Sequence, residues 1–263
     1  MEKNHEPNSE AVMPEHHVPD RNTAKEPETS RKIRNREKEP NREEPEAGKE
    51  KSFASGLNFY KLFWIFFIAC FLGVVVETVW VYVTRHVLQS RRGLIYGPFN
   101  CVYGCGAVLM TLVMYRLRNK RDAAIFVVGA LLGGVYEYVL SWGQEAILGT
   151  VSWQYDNMPF NLHGRINLLY TFFWGILALI WVKELFPRFT RLIEKIPNSI
   201  GRPLTWALTL FMVVNIIISS AAVLRMSERH FNVPCENKIQ AFLDAHYPDD
   251  YLAKVFPSMV YVE

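Results

Sequence analysis

Five stretches of this chain are apolar around their whole helical circumference, and polar residues collect before and between them. They run from about Phe59 to Val83, Asn100 to Leu117, Ala123 to Leu140 (with an extension toward Leu148), Ile166 to Leu185, and Leu204 to Leu224. Crossing the hydrocarbon core as a helix takes about 20 mostly apolar residues, and a soluble surface helix would carry a polar face that these stretches lack. The pattern predicts an all-α, polytopic membrane helix bundle with about five transmembrane helices within residues 58–225. Residues 1–52 hold almost no aliphatic or aromatic side chain, so they have too little apolar surface to offset the entropy of folding and are expected to form a disordered, charged tail. With no apolar run near Met1, a cleaved secretory signal is not expected there. Residues 226–263 read as a C-terminal helical cap of two short amphipathic helices, Asn237 to His246 and Asp249 to Phe256. They are broken at Tyr247-Pro248, with Asp249 placed to cap the second.

Lys and Arg set the expected orientation, because basic residues are retained on the cytoplasmic side. The second connection, from Arg116 to Arg121, is short and strongly basic, and the fourth carries Lys183, Arg188, Arg191, Lys195 and Arg202. The third, about Gly149 to Arg165, has one Arg. Arg85, Arg91 and Arg92 make the first connection discordant. Taken together, the N-terminus belongs in the cytoplasm, and the first and third connections and the C-terminus belong outside, in a multi-pass protein of the cell membrane.

The apolar stretches also repeat. Ala69-Cys-Phe-Leu-Gly73-Val-Val-Val-Glu77 aligns with Gly129-Ala-Leu-Leu-Gly133-Gly-Val-Tyr-Glu137, sixty residues later, and Pro98-Phe99-Asn100 recurs as Pro159-Phe160-Asn161. This predicts a parallel two-helix repeat, with units at about 63–117 and 123–185 and the fifth helix, 204–224, outside it. The small residues four apart on the first and third helices allow close approach where lipid offers no hydrophobic drive. The economical arrangement packs those two helices against each other, with Glu77 and Glu137 side by side.

Charge and chemistry narrow the function. A formal charge of +3, with acids and bases mixed through the tail, argues against a nucleic-acid partner. Cys70, Cys101, Cys105 and Cys235 form neither a disulfide framework nor, without His, a zinc ligand set, so no metal or cofactor is expected. No phosphate-cradling Gly-Lys-Ser/Thr loop, His-Glu-x-x-His or nucleophile–base pattern occurs, so no enzymatic activity is expected. An acid within an apolar helix is costly and marks a candidate site. Glu77 and Glu137 are therefore read either as a shared proton or cation site or as structural acids held by Tyr, Trp or Arg. Glu145 lies two turns beyond Glu137 on the same face. The third connection adds Trp153, Asp156, Asn161, His163 and Arg165. Arg165 is expected to pair with Asp156, Glu145 or Glu137, in that order. Trp153 and Tyr155 also suit an interfacial aromatic belt.

The strings Arg92-Gly-Leu-Ile-Tyr-Gly-Pro-Phe99 with Tyr103-Gly104, and Trp153-Gln-Tyr-Asp156 through Asn161-Leu-His-Gly-Arg165, resemble the bacterial ABC-transporter type IV family of CmpB-like permeases. The resemblance covers about Phe63 to Glu194, and Leu243 to Asp250 is similar to the C-terminal segment of some members. Glu77, Arg92, Gly97, Pro98, Tyr103, Gly104, Glu137, Glu145, Trp153, Asp156, Asn161, Gly164 and Arg165 match its characteristic positions. The resemblance implies a permease-like transport protein with the lipid bilayer, and a separate ATPase subunit or a homo-oligomer, as partners. A coupling Glu-Ala-Ala string on a cytoplasmic loop is not evident. The nearest, Glu145-Ala-Ile-Leu-Gly149, falls in a segment expected outside. The alternative is a non-transporting sensor or assembly protein that binds a partner or lipid through its outer loops.

Overall fold

A computed structural model describes residues 51–262; the expected tail over residues 1–52 falls almost wholly outside them. The described chain is a bundle of long helices. α1 (Phe59–Arg85), α2 (Cys101–Leu117) and α3 (Asp122–Leu148) are followed by α4 (Leu168–Ile180). A π-helical turn, Trp181–Leu185, carries α4 directly into α5 (Phe186–Glu194). α6 (Asn198–His230) then leads to the short α7 (Lys238–His246) and α8 (Asp249–Val255). Two small antiparallel pairs complete the fold. β1 (Thr150–Val151) joins β4 (Val260–Tyr261), and β2 (Asn161–Leu162) joins β3 (Ile166–Asn167).

The chain is a membrane protein: α1, α3, α4 with its continuation to Glu194, and α6 are each long and apolar enough to cross a bilayer. The second expected span is shorter than a full crossing. At 17 residues α2 reaches about 25 Å, against a hydrocarbon core of about 30 Å. It starts where the sequence placed it, because residues 93–100 form a loop, with the Gly93 and Leu94 N–H groups both donating to the Phe99 carbonyl. Asn100 then caps α2 through its side chain, which accepts from Val102 N.

The fourth span differs at both ends. The β2–β3 hairpin delays its start to Leu168, capped by Asn167. At its far end Pro187 lacks the N–H that α-helical pairing would use, and the chain widens into a π turn and continues to Glu194 rather than stopping. α6 is also longer than its apolar stretch. It passes through Pro203 near its start, and its final turns carry Arg225 and Arg229 into the cap.

Each end of the bundle is tied together by polar contacts. At one end, Asn198 Oδ1 accepts from Phe53 N at 2.6 Å, and the buried Lys61 ammonium meets Glu194 Oε1 at 2.6 Å. Nearby, Trp64 Nε1 donates to Thr205 Oγ1 and Trp181 Nε1 donates to Thr111 Oγ1. At the other end, the first connection, the third connection and the cap meet. Asn215 of α6 accepts from Tyr96 N at 3.1 Å and donates to Tyr96 O at 2.7 Å, while Ser219 Oγ accepts from Ile95 N. Tyr96 and Tyr247 share a hydroxyl–hydroxyl bond of 2.8 Å, and Val262 N donates to Gly149 O.

The cap is anchored by charge as well as by its buried Leu243, Tyr247, Leu252 and Val255. Arg225 grips Asp244 with two parallel bonds of 2.9 and 3.0 Å, and Arg229 bonds both Asp244 and Asp249. Two guanidiniums hold the Asp244 carboxyl below the usual carboxylate range, with Arg225 the larger cause.

Candidate functional site

The small residues of α1 and α3 do not pack those helices on each other. Each glycine instead admits the helix that follows its own. A side chain at Gly73 would overlap the Tyr103 ring, and one at Gly104 would strike Phe66 and Cys70, so α1 and α2 interlock reciprocally. A side chain at Gly133 would overlap Trp174, and one at Gly175 would strike Phe126, so α3 and α4 interlock in the same way. Phe66 and Phe126 stand sixty residues apart, as do Gly73 and Gly133, and Glu77 and Glu137. The duplication is therefore a repeated helix pair with Tyr103-Gly104 and Trp174-Gly175 as counterparts.

That correspondence corrects the sequence alignment of the second half of the repeat. Pro98-Phe99-Asn100 leads into α2, but Pro159-Phe160-Asn161 does not lead into α4. Asn161 opens the β2–β3 hairpin, donating to Met158 O and accepting from Gly164 N. Gly164 sits in the hairpin with φ +64°, where Asp156 occupies the space a side chain would need. The capping role that Asn100 has on α2 falls to Asn167 on α4: each side chain accepts from the N–H two residues on.

The repeated interlock places each half-buried acid under an aromatic donor. Tyr103 Oη donates to Glu77 Oε2, and Arg91 Nε lies 3.3 Å from Glu77 Oε1. Trp174 Nε1 donates to Glu137 Oε2 at 3.2 Å, and Tyr155 Oη donates to Glu137 Oε1 at 2.6 Å. Both oxygens of each carboxylate are thus engaged, and by different residues. The expected side-by-side pairing of Glu77 with Glu137 is replaced by two separate nodes, each closed within its own helix pair. Burial, and then the Glu137 carboxylate, push the Tyr155 phenol well above its usual range, so it remains a protonated donor. Tyr136 bridges the two helix pairs. It packs edge-on against Trp174, with ring centroids 6.2 Å apart, and donates to Val102 O of α2 at 2.7 Å.

The third connection supplies a further cluster. Arg165 Nη2 meets Glu145 Oε2 at 2.6 Å, and its Nη1 reaches Ser141 Oγ at 3.4 Å. Of the three expected carboxylate partners it takes the second. Asp156 instead lines the hairpin beside Gly164, and Glu137 is occupied by Tyr155 and Trp174. Trp153 Nε1 donates to Arg165 O at 3.2 Å, which ties the hairpin to the start of the third connection. His163 Nδ1 and Tyr138 Oη lie 2.9 Å apart. Arg92, the remaining expected site residue, stands apart in the first connection, where its Nη1 reaches Ile95 O at 3.4 Å.

The structure thus joins Glu77 with Tyr103 and Arg91, Glu137 with Tyr155 and Trp174, and Arg165 with Glu145. The sequence reading missed the roles of Arg91 and Trp174. Arg91 carried a signal, since it is a basic residue on a connection that charge bias would strip. Trp174 falls within the second repeat unit but outside its matched strings, although a Trp holding the acid is one of the two readings of Glu137.

A search of curated proteins and a search of solved structures each give no match. One family model spans residues 64–220, from α1 through most of α6, and stops short of the cap. On that match, covering more than half of its length, the chain belongs to the family of multi-pass membrane proteins described as "Putative ABC-transporter type IV".

Proposed function

We propose that the chain is the permease-like component of a transport system in the cell membrane, working with a separate ATPase subunit rather than catalysing a reaction itself. Its N-terminus faces the cytoplasm, and its two outer connections and C-terminal cap face outside. The observation that carries this reading is the match of residues 64–220 to a transporter-type family model, and the pair of repeat-related carboxylates within the helices adds to it. Such acids are expensive in apolar surroundings and are retained where a polar path is needed. Two equivalent acids in parallel repeats give a pathway two stations for a proton, a cation or the cationic group of a substrate. Glu145, Asp156, Asn161, Arg165, Arg92 and Trp153 form its outer approach.

The test is water access. In a background with the four native cysteines replaced, E137C and E77C would be challenged with membrane-impermeant maleimides from each side of oriented vesicles. A transport path predicts labelling from both sides, with the balance changed by nucleotide when the ATPase is present. Labelling from the outer side alone, in every condition, would refute transport and favour the sensor or assembly reading. That alternative draws on the cap, which ties both outer connections into one surface suited to a partner.

A further inference from the structure

The first connection carries an arrangement that shares Arg91 with the Glu77 node and otherwise lies outside both acid nodes. A cleft of about 440 Å³ opens beside it, lined by Arg91, Arg92, Gln89 and Ser90, with Val74 and Leu88 as apolar wall. That volume falls in the range of small-ligand sites, roughly 300–1,000 Å³. Both guanidiniums have a fully buried Nε with no hydrogen-bond partner. For Arg91 the imbalance is partial, since Nε faces Glu77 at 3.3 Å and Nη1 donates to Ser258 Oγ. For Arg92 it is greater: among the described residues it meets no carboxylate, and its bond to Ile95 O is long at 3.4 Å. The Nε atoms are closed off from the cleft, so a ligand would meet the terminal nitrogens, and among the described residues those of Arg92 make only the long bond to Ile95 O.

We infer that this cleft binds a phosphate-bearing anion, with Arg92 as the principal contact and Arg91 as the second. The planar guanidinium fork matches phosphate geometry and donates charge-assisted bonds. Charge supports the assignment: two arginines against the single Glu77 leave the cleft one positive charge in excess. Placement supports it as well. Val74 belongs to α1, whose neighbouring Val75, Val76 and Val79 are exposed on the helix surface, so the cleft lies where a lipid-facing wall meets the polar boundary. It also accounts for Arg91 and Arg92 on a connection expected to face outside, where charge bias alone would disfavour them. The same chemistry fits an anionic phospholipid headgroup and a free phosphate. The inference does not depend on the transport reading, because it concerns ligand binding alone.

The experiment uses the full-length protein in zwitterionic-lipid nanodiscs and measures binding and thermal shift on two arms: added phosphatidylglycerol, and added inorganic phosphate. The wild-type protein is expected to bind on at least one arm, which identifies the source as lipid or solute. R92Q should weaken that binding by at least roughly tenfold, while R85Q, a basic change at the end of α1 outside the cleft, should not. R92K retains charge without the fork and should fall between. Should R92Q not fold, R92K carries the comparison. No binding on either arm overturns the inference. So does an unchanged affinity in the folded Arg92 variants, or an equal loss in R85Q.

Discussion

Gly133→Ala should be among the most damaging single-carbon additions in this protein. A Cβ at position 133 would lie 2.1 Å from Trp174 Cγ and 2.4 Å from its Cβ. The overlap involves the root of the side chain, which a rotamer change does not move, so α4 must shift as a body. Overpacking of this kind costs about 1–3 kcal/mol. Displacing Trp174 also removes the 3.2 Å Nε1 donor from Glu137, and a hydrogen bond to a charged group contributes about 1.5–3 kcal/mol. Together these give a loss of roughly 2.5–6 kcal/mol, or about 5–24 °C in Tm at about 2–4 °C per kcal/mol for a chain of this size.

Thermal unfolding in detergent, followed by tryptophan fluorescence, reads the shift. Gly143→Ala is the control, because nothing lies within 4 Å of a Cβ there. In the same helix, that change should be neutral or stabilise by up to about 1 kcal/mol. Gly73→Ala, whose Cβ would meet Tyr103 Cγ at 2.1 Å, should lose about as much as Gly133→Ala. Equal Tm values for the 133 and 143 variants would refute the interlock, and a harmless change at 73 would refute the equivalence of the two helix pairs.

Other expectations follow from the same contacts. Arg165→Gln and Glu145→Gln should be coupled by about 1 kcal/mol in a double-mutant cycle read by chemical unfolding, a modest figure because the pair is partly exposed. Asp156→Asn should add independently to Arg165→Gln, and coupling to Asp156 instead would contradict the observed pairing. The Asp244 carboxyl is held below its unfolded value, so its contribution to cap docking is fully present above about pH 3.9, the unfolded carboxylate pKa. It is lost as pH falls through the depressed folded value. Hydrogen exchange over residues 238–262 should therefore show cap protection flat from pH 7 to about 4.5 and lost only in stronger acid. Loss between pH 7 and 5 would place the anchor elsewhere. Reporter fusions at Asn119 and Glu263 should give opposite signals, cytoplasmic and external, and identical signals would overturn the proposed orientation.

The architecture was largely legible because apolar length is a one-dimensional property. The spans, the two cap helices around Tyr247-Pro248 and the first half of the repeat all register as local strings. The start of α2 was legible, since the expected Asn100 is its cap, but the fourth span begins two residues later than its apolar stretch, because Ile166 and Asn167 pair in the hairpin instead of opening the helix. The second half of the repeat was misread for a related reason. Pro-Phe-Asn is identical in both places, but the structural counterparts are Tyr103-Gly104 and Trp174-Gly175, which share only a large aromatic followed by glycine. Which helix fills the groove above Gly73 and Gly133 depends on the partner's shape, and the small residues alone do not encode that. The same limit applies to Arg165, which had three acids within plausible reach and takes Glu145 because the hairpin turns Asp156 toward Gly164.

Cysteine crosslinking compares the two arrangements of the intrahelical acids. In a background lacking the native cysteines, E77C paired with Y103C, and E137C paired with W174C, should each crosslink efficiently with a short bifunctional reagent. E77C paired with E137C should crosslink poorly under the same conditions. Efficient crosslinking of 77 to 137, with little reaction of either within its own helix pair, would restore the shared-acid arrangement and contradict the separate, repeated nodes described above.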